Sequence, residues 1–280
     1  MKLLSLFSGI GAFEKALSNV GIQYDLVGYS EIDKYASRSY SLIHNVDESL
    51  NLGDITKINE KDLPKDIDLI TYGFPCQDIS LANINCKGLF NEDGTLTRSG
   101  LFFEALRIIE AAKPKIAIAE NVKNLTSKKF LPQFNGILKE LEEAGYNNYW
   151  KILNSRNYGI PQNRARVYIV SIRKDIDDGT FEFPEPFELK IKLKDLLEDE
   201  VEEKYYISRK IEDVMYKAII EESQDCILVK EATKKGYAKA YEGDSVNIDC
   251  PNSKTRRGRV GKEIAQTLTT TGQQGVVVNE

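Results

Sequence analysis

The sequence predicts an α/β fold with a mainly parallel sheet covered on both faces, followed by a smaller region of different character. Three observations carry that prediction. Short apolar runs alternate with amphipathic stretches through the first 175 residues. The stretches between the runs are of helix length, as crossovers between parallel strands require. From about residue 204 the alternation gives way to lysine, tyrosine, glycine and threonine. The expected boundaries are therefore 1–175 for the first domain, 176–203 for a connection and 204–280 for a β-rich region.

In chain order, "KLLSLF" is a strand and "GAFEKALSNVG" a helix closed by glycine. "YDLVGYSE" is a second strand, and "DKYASRSYSLIHN" a helix opening on Asp33. "DIDLITYGF" is the third strand. "SGLFFEALRIIEAAKP" is a helix stopped by Pro114, and the strand "KIAIAEN" follows it. "KKFLPQFNGILKELEEAG" is a helix ending on Gly145. "NNYWKILNS" and "RARVYIVSIRK" are strands joined by the turn-rich "RNYGIPQN".

Composition narrows the chemistry. The chain has 280 residues, 41% hydrophobic and 29% charged, which suits a soluble globular protein. No run approaches the roughly 20 apolar residues of a membrane helix, and no secretory signal is evident, so a cytoplasmic location and no membrane partner are expected. Cys76, Cys86, Cys226 and Cys250 show no CxxC pairing, and His44 is the sole histidine. No metal site and no Cys–His dyad are expected. The net charge of −5 hides a split. Residues 174–203 hold twelve acids and four lysines, whereas 230–262 hold nine basic residues and four acids, including "KTRRGR". A local basic patch matters more to a polyanion than the whole-chain sum, although a solvated loop has the same look.

Four features follow strand ends, which is where open α/β sheets bind ligands. "LFSGIGAFE" is a glycine-rich turn in which Gly9 and Gly11 allow close approach. It is not GxGxxG, which weakens a pyrophosphate reading. Glu31 ends the second strand, placed to accept from ribose hydroxyls, and Asp54 in "GDI" adds another acid. A nucleoside ligand with little or no phosphate fits best, and S-adenosylmethionine is one. Cys76 sits behind Pro75, whose fixed φ presets its approach. A thiolate there is a soft nucleophile for an electron-poor ring carbon. Glu120 ends the next strand and can engage a ring nitrogen; Arg164 and Arg166 supply positive charge from one side of an extended chain. Taken singly, a buried thiol, a strand-end acid and surface ion pairs are the better explanations of these residues. Their convergence on one rim favours chemistry.

The ordered blocks "LFSGIGAFE", "GFPCQ", "ENVKNL" and "YGIPQNRARVYIV" resemble the signatures of the DNA (cytosine-5)-methyltransferase family, strongly over residues 1–175. That resemblance implies a Rossmann-like methyltransferase domain that uses S-adenosylmethionine, releases S-adenosylhomocysteine and acts on double-stranded DNA. It implies that Cys76 adds to C6 of a flipped-out cytosine, that Glu120 engages N3, and that Arg164 and Arg166 stabilise the activated ring. Phe7, Gly9, Ile10, Gly11, Glu31, Ile32, Asp54, Ile55, Pro75 and Leu101 match cofactor-lining positions. "LANINCKGLFNEDGTLTRSG" resembles the loop that closes over DNA, with Ser80 just before it. "RRGRV…QTLTTTGQQGVVV" is similar to the core of the target-recognition domain. Arg256, Arg257, Arg259, Thr267 and Thr269 are its expected DNA contacts, with Thr267 and Leu268 on the recurring Thr-Leu pair.

Two departures qualify the match. Family members usually continue past a strand like "GVVV" into a basic block and a helix with a Gly-Asn motif, and no Gly-Asn dipeptide occurs here. A truncated chain, or half of a split enzyme whose partner polypeptide supplies that block, is the expectation this raises. Ala165 stands where Glu is frequent in the family. The leading reading is a DNA cytosine-5 methyltransferase of restriction–modification type. A non-autonomous subunit and a tRNA cytosine-5 methyltransferase are the alternatives.

Overall fold

The computed structural model describes residues 1–79, 87–202, 219–222, 226–268 and 273–278. These form two compact units, Met1–Leu153 with Arg166–Phe183 and Asn154–Ala165 with Pro184–Glu280.

The chain runs β1 (Lys2–Leu6), α1 (Ala12–Asn19), β2 (Asp25–Ser30), α2 (Lys34–His44), β3 (Leu69–Tyr72), α3 (Phe102–Ala112), β4 (Ile116–Val122), α4 (Leu131–Glu143) and β5 (Tyr146–Asn154). The two-residue β6 (Gln162–Asn163) and then β7 (Ala165–Arg173) follow. The first unit holds a six-stranded sheet of order β2-β1-β3-β4-β7-β5. Strand β1 is parallel to β2 and β3, β3 is parallel to β4, and β7 runs antiparallel to β4. The expected α/β architecture with a mainly parallel sheet is the one observed.

Local chemistry explains the element ends. Asp33 caps α2, its Oδ1 accepting from the N–H groups of Tyr35 and Ala36 at 2.9 and 2.8 Å. Lys113 takes a left-handed conformation after α3, and Pro114 prevents continuation. Pro132 sits in the first turn of α4, where its missing N–H costs nothing. Every residue of β3 is buried, and so are four of the five in β1. Such continuous apolar runs mark strands covered on both faces. Strand β4 instead alternates, burying Ala117, Ala119 and Asn121 and leaving Ile116, Ile118 and Glu120 half-covered. Two-sided cover therefore holds at β1 and β3 but not along β4.

The second unit carries β8 (Ile219–Glu222), β9 (Ile227–Lys230), β10 (Tyr237–Ala240), β11 (Ser245–Asn247), β12 (Val260–Gly261), β13 (Ala265–Gln266) and β14 (Gln274–Val276). They form the small sheets β10-β9-β8 and β12-β11-β14 around a core of Val229, Ala240, Val246 and Ile248. The β-rich character expected for this region is present. Its boundary differs from the expected one, because residues 154–165 belong to it. Strand β6 pairs in parallel with β13, the Ala265 N–H donates to the Pro161 carbonyl at 2.8 Å, and Thr267 Oγ1 donates to the Asn163 carbonyl at 2.8 Å. The acidic connection also divides. Phe181 packs on Tyr149 in the first unit, whereas Phe187 packs on Tyr158 in the second. Aromatic anchors hidden in an acidic run settle where each half belongs.

Candidate active site

The carboxyl ends of β1, β2 and β3 open onto a cavity of about 320 Å³. Phe7, Glu31, Ile32, Asp54, Ile55, Pro75 and Leu101 line it, all seven expected there, together with Ser30, Gly73 and Gln77. The glycine turn supports the cavity from behind. Phe7 has φ 52 and Gly9 φ 56, so the chain leaves β1 through left-handed backbone that a non-glycine residue adopts only at a cost. That turn aims the Gly9 N–H at Glu31 Oε2, 2.9 Å away, while Glu31 Oε1 accepts from the Asp33 N–H at 2.8 Å. Each carboxylate oxygen keeps a second lone pair for a ligand hydroxyl. Gly9, Ile10 and Gly11, the other three expected cofactor positions, lie outside the cavity lining. A Cβ on Gly11 would stand 2.1 Å from His44 Nε2, and the Ile10 carbonyl contacts that same nitrogen at 3.0 Å. These two expected cofactor residues therefore shape the turn against α2.

Asp54 caps the short turn Ile55–Lys57 by accepting from the Thr56 N–H and hydroxyl at 3.0 and 2.8 Å. Those hydrogen bonds hold its carboxyl below the ordinary carboxylate range. The lining has two carboxylates and no lysine or arginine. A pyrophosphate would meet repulsion here, whereas a nucleoside with vicinal hydroxyls and a cationic sulfur suits it. The apolar side chains of Phe7, Ile55, Pro75 and Leu101 offer faces for a purine. The residues present thus fit S-adenosylmethionine on chemical grounds.

Beyond the cavity, Gly73, Pro75 and Gln77 belong to the loop that carries Cys76. Two asparagines from the end of β4 pin this loop. Asn121 Nδ2 donates to the Phe74 carbonyl at 3.0 Å, and Asn124 Nδ2 to the Ile79 carbonyl at 2.5 Å. A turn closes around the half-buried Cys76, whose carbonyl accepts from the Ile79 N–H at 3.0 Å. Asp78 and Ser99 exchange backbone-to-side-chain hydrogen bonds at 3.2 and 3.3 Å, fastening the loop's far side. The motif blocks "GFPCQ" and "ENVKNL" are therefore one hydrogen-bonded assembly. Asn121, Asn124 and Ser99 went unnoticed in the sequence because asparagine and serine after strands ordinarily signal turns.

Glu120 ends β4 beside this loop: a Cβ on Gly73 would stand 3.9 Å from its Oε2. Its Oε1 pairs with Arg166 Nε at 2.9 Å, and both side chains are largely sheltered. The antiparallel register, with Val122 opposite Arg166, makes that pairing possible. The structure thus brings the Cys76 loop, Glu120 and Arg166 into one unit with the cavity. Arg164 is placed differently. It belongs to the second unit, where its N–H donates to Asn154 Oδ1 at 3.1 Å and its carbonyl accepts from the Ser155 N–H at 3.2 Å.

Among the expected DNA contacts, Arg257 is exposed and donates from Nε to the Ala232 carbonyl at 2.9 Å. Arg256 is partly exposed and reaches Asn247 Oδ1 at 3.0 Å. Thr267 is spent on the Asn163 carbonyl through its hydroxyl. Arg259 corrects the expectation: only 1% of it is exposed, and its guanidinium donates to the carbonyls of Asn247, Asp249 and Cys250. Burial pushes its pKa below the ordinary guanidinium value. Its donors are committed to a turn, and none is presented to a phosphate. Ser80 and Thr269 lie outside the described residues, as do Cys86 and the first part of the loop at 81–100. No group of side chains able to hold a metal occurs among the described residues, and no helix among them is long and apolar enough to cross a membrane.

The fold and this cavity define an α/β unit with a rim cavity whose chemistry suits a nucleoside and a cysteine loop at its edge. A family model for C-5 cytosine-specific DNA methylases matches residues 1–276, and the chain belongs to that family. It is 36% identical to the orphan methyltransferase M.SPRI of Bacillus phage SPR over 99% of this chain and 66% of that relative. It is 37% identical to the type II methyltransferase M.HhaI of Haemophilus parahaemolyticus over 80% of this chain and 64% of that relative. The chain thus spans less than two thirds of the length of these curated relatives. Among solved structures, the methyltransferase EhMeth of Entamoeba histolytica matches with a TM-score of 0.60 at 20% identity, covering 78% of this chain and 65% of that one. The Dnmt2 methyltransferase of S. pombe matches with a TM-score of 0.56 at 22% identity, covering 76% and 64%. At such identities these structures speak to the fold alone.

Proposed function

We propose that the protein methylates C5 of a cytosine in duplex DNA through a transient bond between Cys76 Sγ and C6 of the ring, the cytosine being turned out of the stack. One observation carries the reading: a cavity with two carboxylates and no cation is walled by the same loop that holds Cys76. S-Adenosylmethionine, bound there, supplies an electrophilic methyl group on a sulfonium. Glu31 and Asp54 would hold its ribose end in the cavity that the Cys76 loop walls. Cys76, as thiolate, adds its electron pair to C6, which makes C5 nucleophilic. Glu120, having taken up a proton from solvent, delivers it to N3 and so neutralises the charge that develops on the ring. Arg166 holds the Glu120 carboxylate in place through the 2.9 Å ion pair. Arg164 takes its ring-stabilising role from its motif position. After C5 has gained the methyl group, loss of the C5 proton to a base expels the Cys76 thiolate and restores the aromatic ring.

Arg256 and Arg257 of the second unit are the proposed phosphate or guanine contacts, as guanidiniums at a partly exposed basic turn. The kinship with type II and orphan phage methyltransferases supports a role in sequence-specific DNA modification.

The test mixes the full chain with S-adenosylmethionine and duplexes carrying 5-fluorocytosine, which has no C5 proton to lose. A covalent adduct that survives denaturation and disappears in Cys76→Ser is the expected result. An adduct that forms only when a second polypeptide is added makes the chain a subunit. A wild-type chain that forms none under either condition, with cofactor bound, sinks the reading.

A further inference from the structure

Asn51 belongs to no motif, yet its side chain bonds the backbone of Glu31 and that of Gly53, the residue before Asp54. Its Oδ1 accepts from the Glu31 N–H at 3.1 Å and from the Gly53 N–H at 2.9 Å. Its Nδ2 donates to the Glu31 carbonyl at 3.0 Å and to Ser37 Oγ at 2.9 Å. Two acceptances and two donations exhaust what an asparagine amide can do. They also fix its orientation, since only the oxygen can face two N–H donors.

What these bonds hold is specific. The Glu31 peptide is gripped on both its N–H and its carbonyl by one side chain. Gly53, held by the same oxygen, has φ 69 and directly precedes Asp54. The strand-like contact of Tyr29 with Asn51, the Leu52 N–H donating to the Tyr29 carbonyl at 2.7 Å and Ser30 Oγ donating to the Gly53 carbonyl at 2.7 Å complete the seam. Glu31 and Asp54 come from separate segments, and nothing local makes them converge. The amide of Asn51 is the joint between those segments.

We propose that Asn51 is the positioning residue of the methyl-donor site, setting the spacing of Glu31 and Asp54 without touching the ligand itself. The proposal rests on the cofactor assignment above. A ribose hydroxyl is recognised well only by carboxylates already fixed in place, so loosening the joint weakens binding before it affects chemistry.

The experiment compares wild type, N51A and N51D as full chains. Calorimetry measures S-adenosylhomocysteine affinity, and hydrogen exchange without ligand follows the Glu31 and Gly53 amides. In N51A both amides should exchange faster and affinity should fall about tenfold or more. N51D keeps the volume and both acceptances but loses both donors, so it should show weakened affinity with the Gly53 amide still protected. In steady-state methyl transfer to an unmodified duplex the defect should fall on KM for S-adenosylmethionine rather than on kcat. If N51A does not fold, N51D decides the comparison. Binding by the folded variant within twofold of wild type overturns the proposal, as does a loss confined to kcat. A wild-type chain that does not bind S-adenosylhomocysteine removes the cofactor assignment and this proposal together. A variant that binds as well as a binding wild type removes this proposal alone.

Discussion

The two units treat their polar residues in opposite ways. In the first, Glu31, Cys76 and Glu120 lie at or just past the carboxyl ends of strands, and the sheet brings their segments to one rim. In the second, "KTRRGR" presents three arginines within four positions, yet one of them is among the most deeply buried side chains of the protein. A parallel sheet constrains where a strand's next residue can be. A turn between short strands does not, and neighbouring side chains there can face water or core. Sequence position therefore predicts function at a sheet rim far better than in a recognition loop.

The contrast can be broken or sharpened in steps of decreasing size. Replacing Cys76 by serine should abolish adduct formation entirely while leaving S-adenosylhomocysteine affinity intact, as read by calorimetry. Glu120→Gln removes the ring acid and the partner of Arg166. It should lower kcat by a factor on the order of 10² to 10⁴ in single-turnover methyl transfer. The second unit supplies the opposing pair. Arg259→Ala strands three carbonyls and leaves a cavity, costing about 3 kcal/mol. It should erase amide-exchange protection at Val246 and Val260. Arg257→Ala should change stability by no more than about 0.5 kcal/mol. It should instead reduce the salt slope of DNA binding by about one. If these two arginine variants exchanged phenotypes, the burial argument would fail.

The smallest effect concerns Asp54. Its carboxyl is held below the usual range by the Thr56 hydrogen bonds and is over a third exposed. A depressed folded value means that its stabilising contribution is complete above about pH 3.9, the ordinary Asp value. That contribution is lost as pH falls through the lower folded value. Cofactor affinity between pH 8 and pH 5 should therefore be insensitive to this group. Asp54→Asn, which keeps the cap and loses the charge, should weaken affinity by less than about tenfold at pH 7. Calorimetry across that range checks both statements.

Much of the first unit was legible because its signals are local. Apolar runs, the Asp33 cap, Pro114 and Gly145 specify where strands and helices stop, and the motifs attach to those stops. Seven expected cofactor positions line the cavity for this reason. Gly9, Ile10 and Gly11 do not: the Gly9 N–H is spent on Glu31, and only packing against His44 shows which side the other two take. The asparagine contacts from Asn51, Asn121 and Asn124 were illegible. Apart from the Asn51 bond to the Gly53 N–H two residues on, these contacts span between 14 and 47 residues, and an asparagine's neighbours in sequence say nothing about such distant partners. The grouping of residues 154–165 with the second unit left no sequence signal for a related reason. Within them, Gln162 and Asn163 pair with a two-residue strand a hundred positions later, too short to leave a periodic signal.

By itself, the sequence determined the strand–helix order, the segments that end on the rim and the family to which those segments belong. Periodicity and turn chemistry act over a few residues and need no partner. Only the tertiary structure decided which side of each turn faces the cavity, which arginine is buried and which amide joins the two acids. Those outcomes depend on long-range hydrogen bonds and burial, and these exist only once distant segments are packed together.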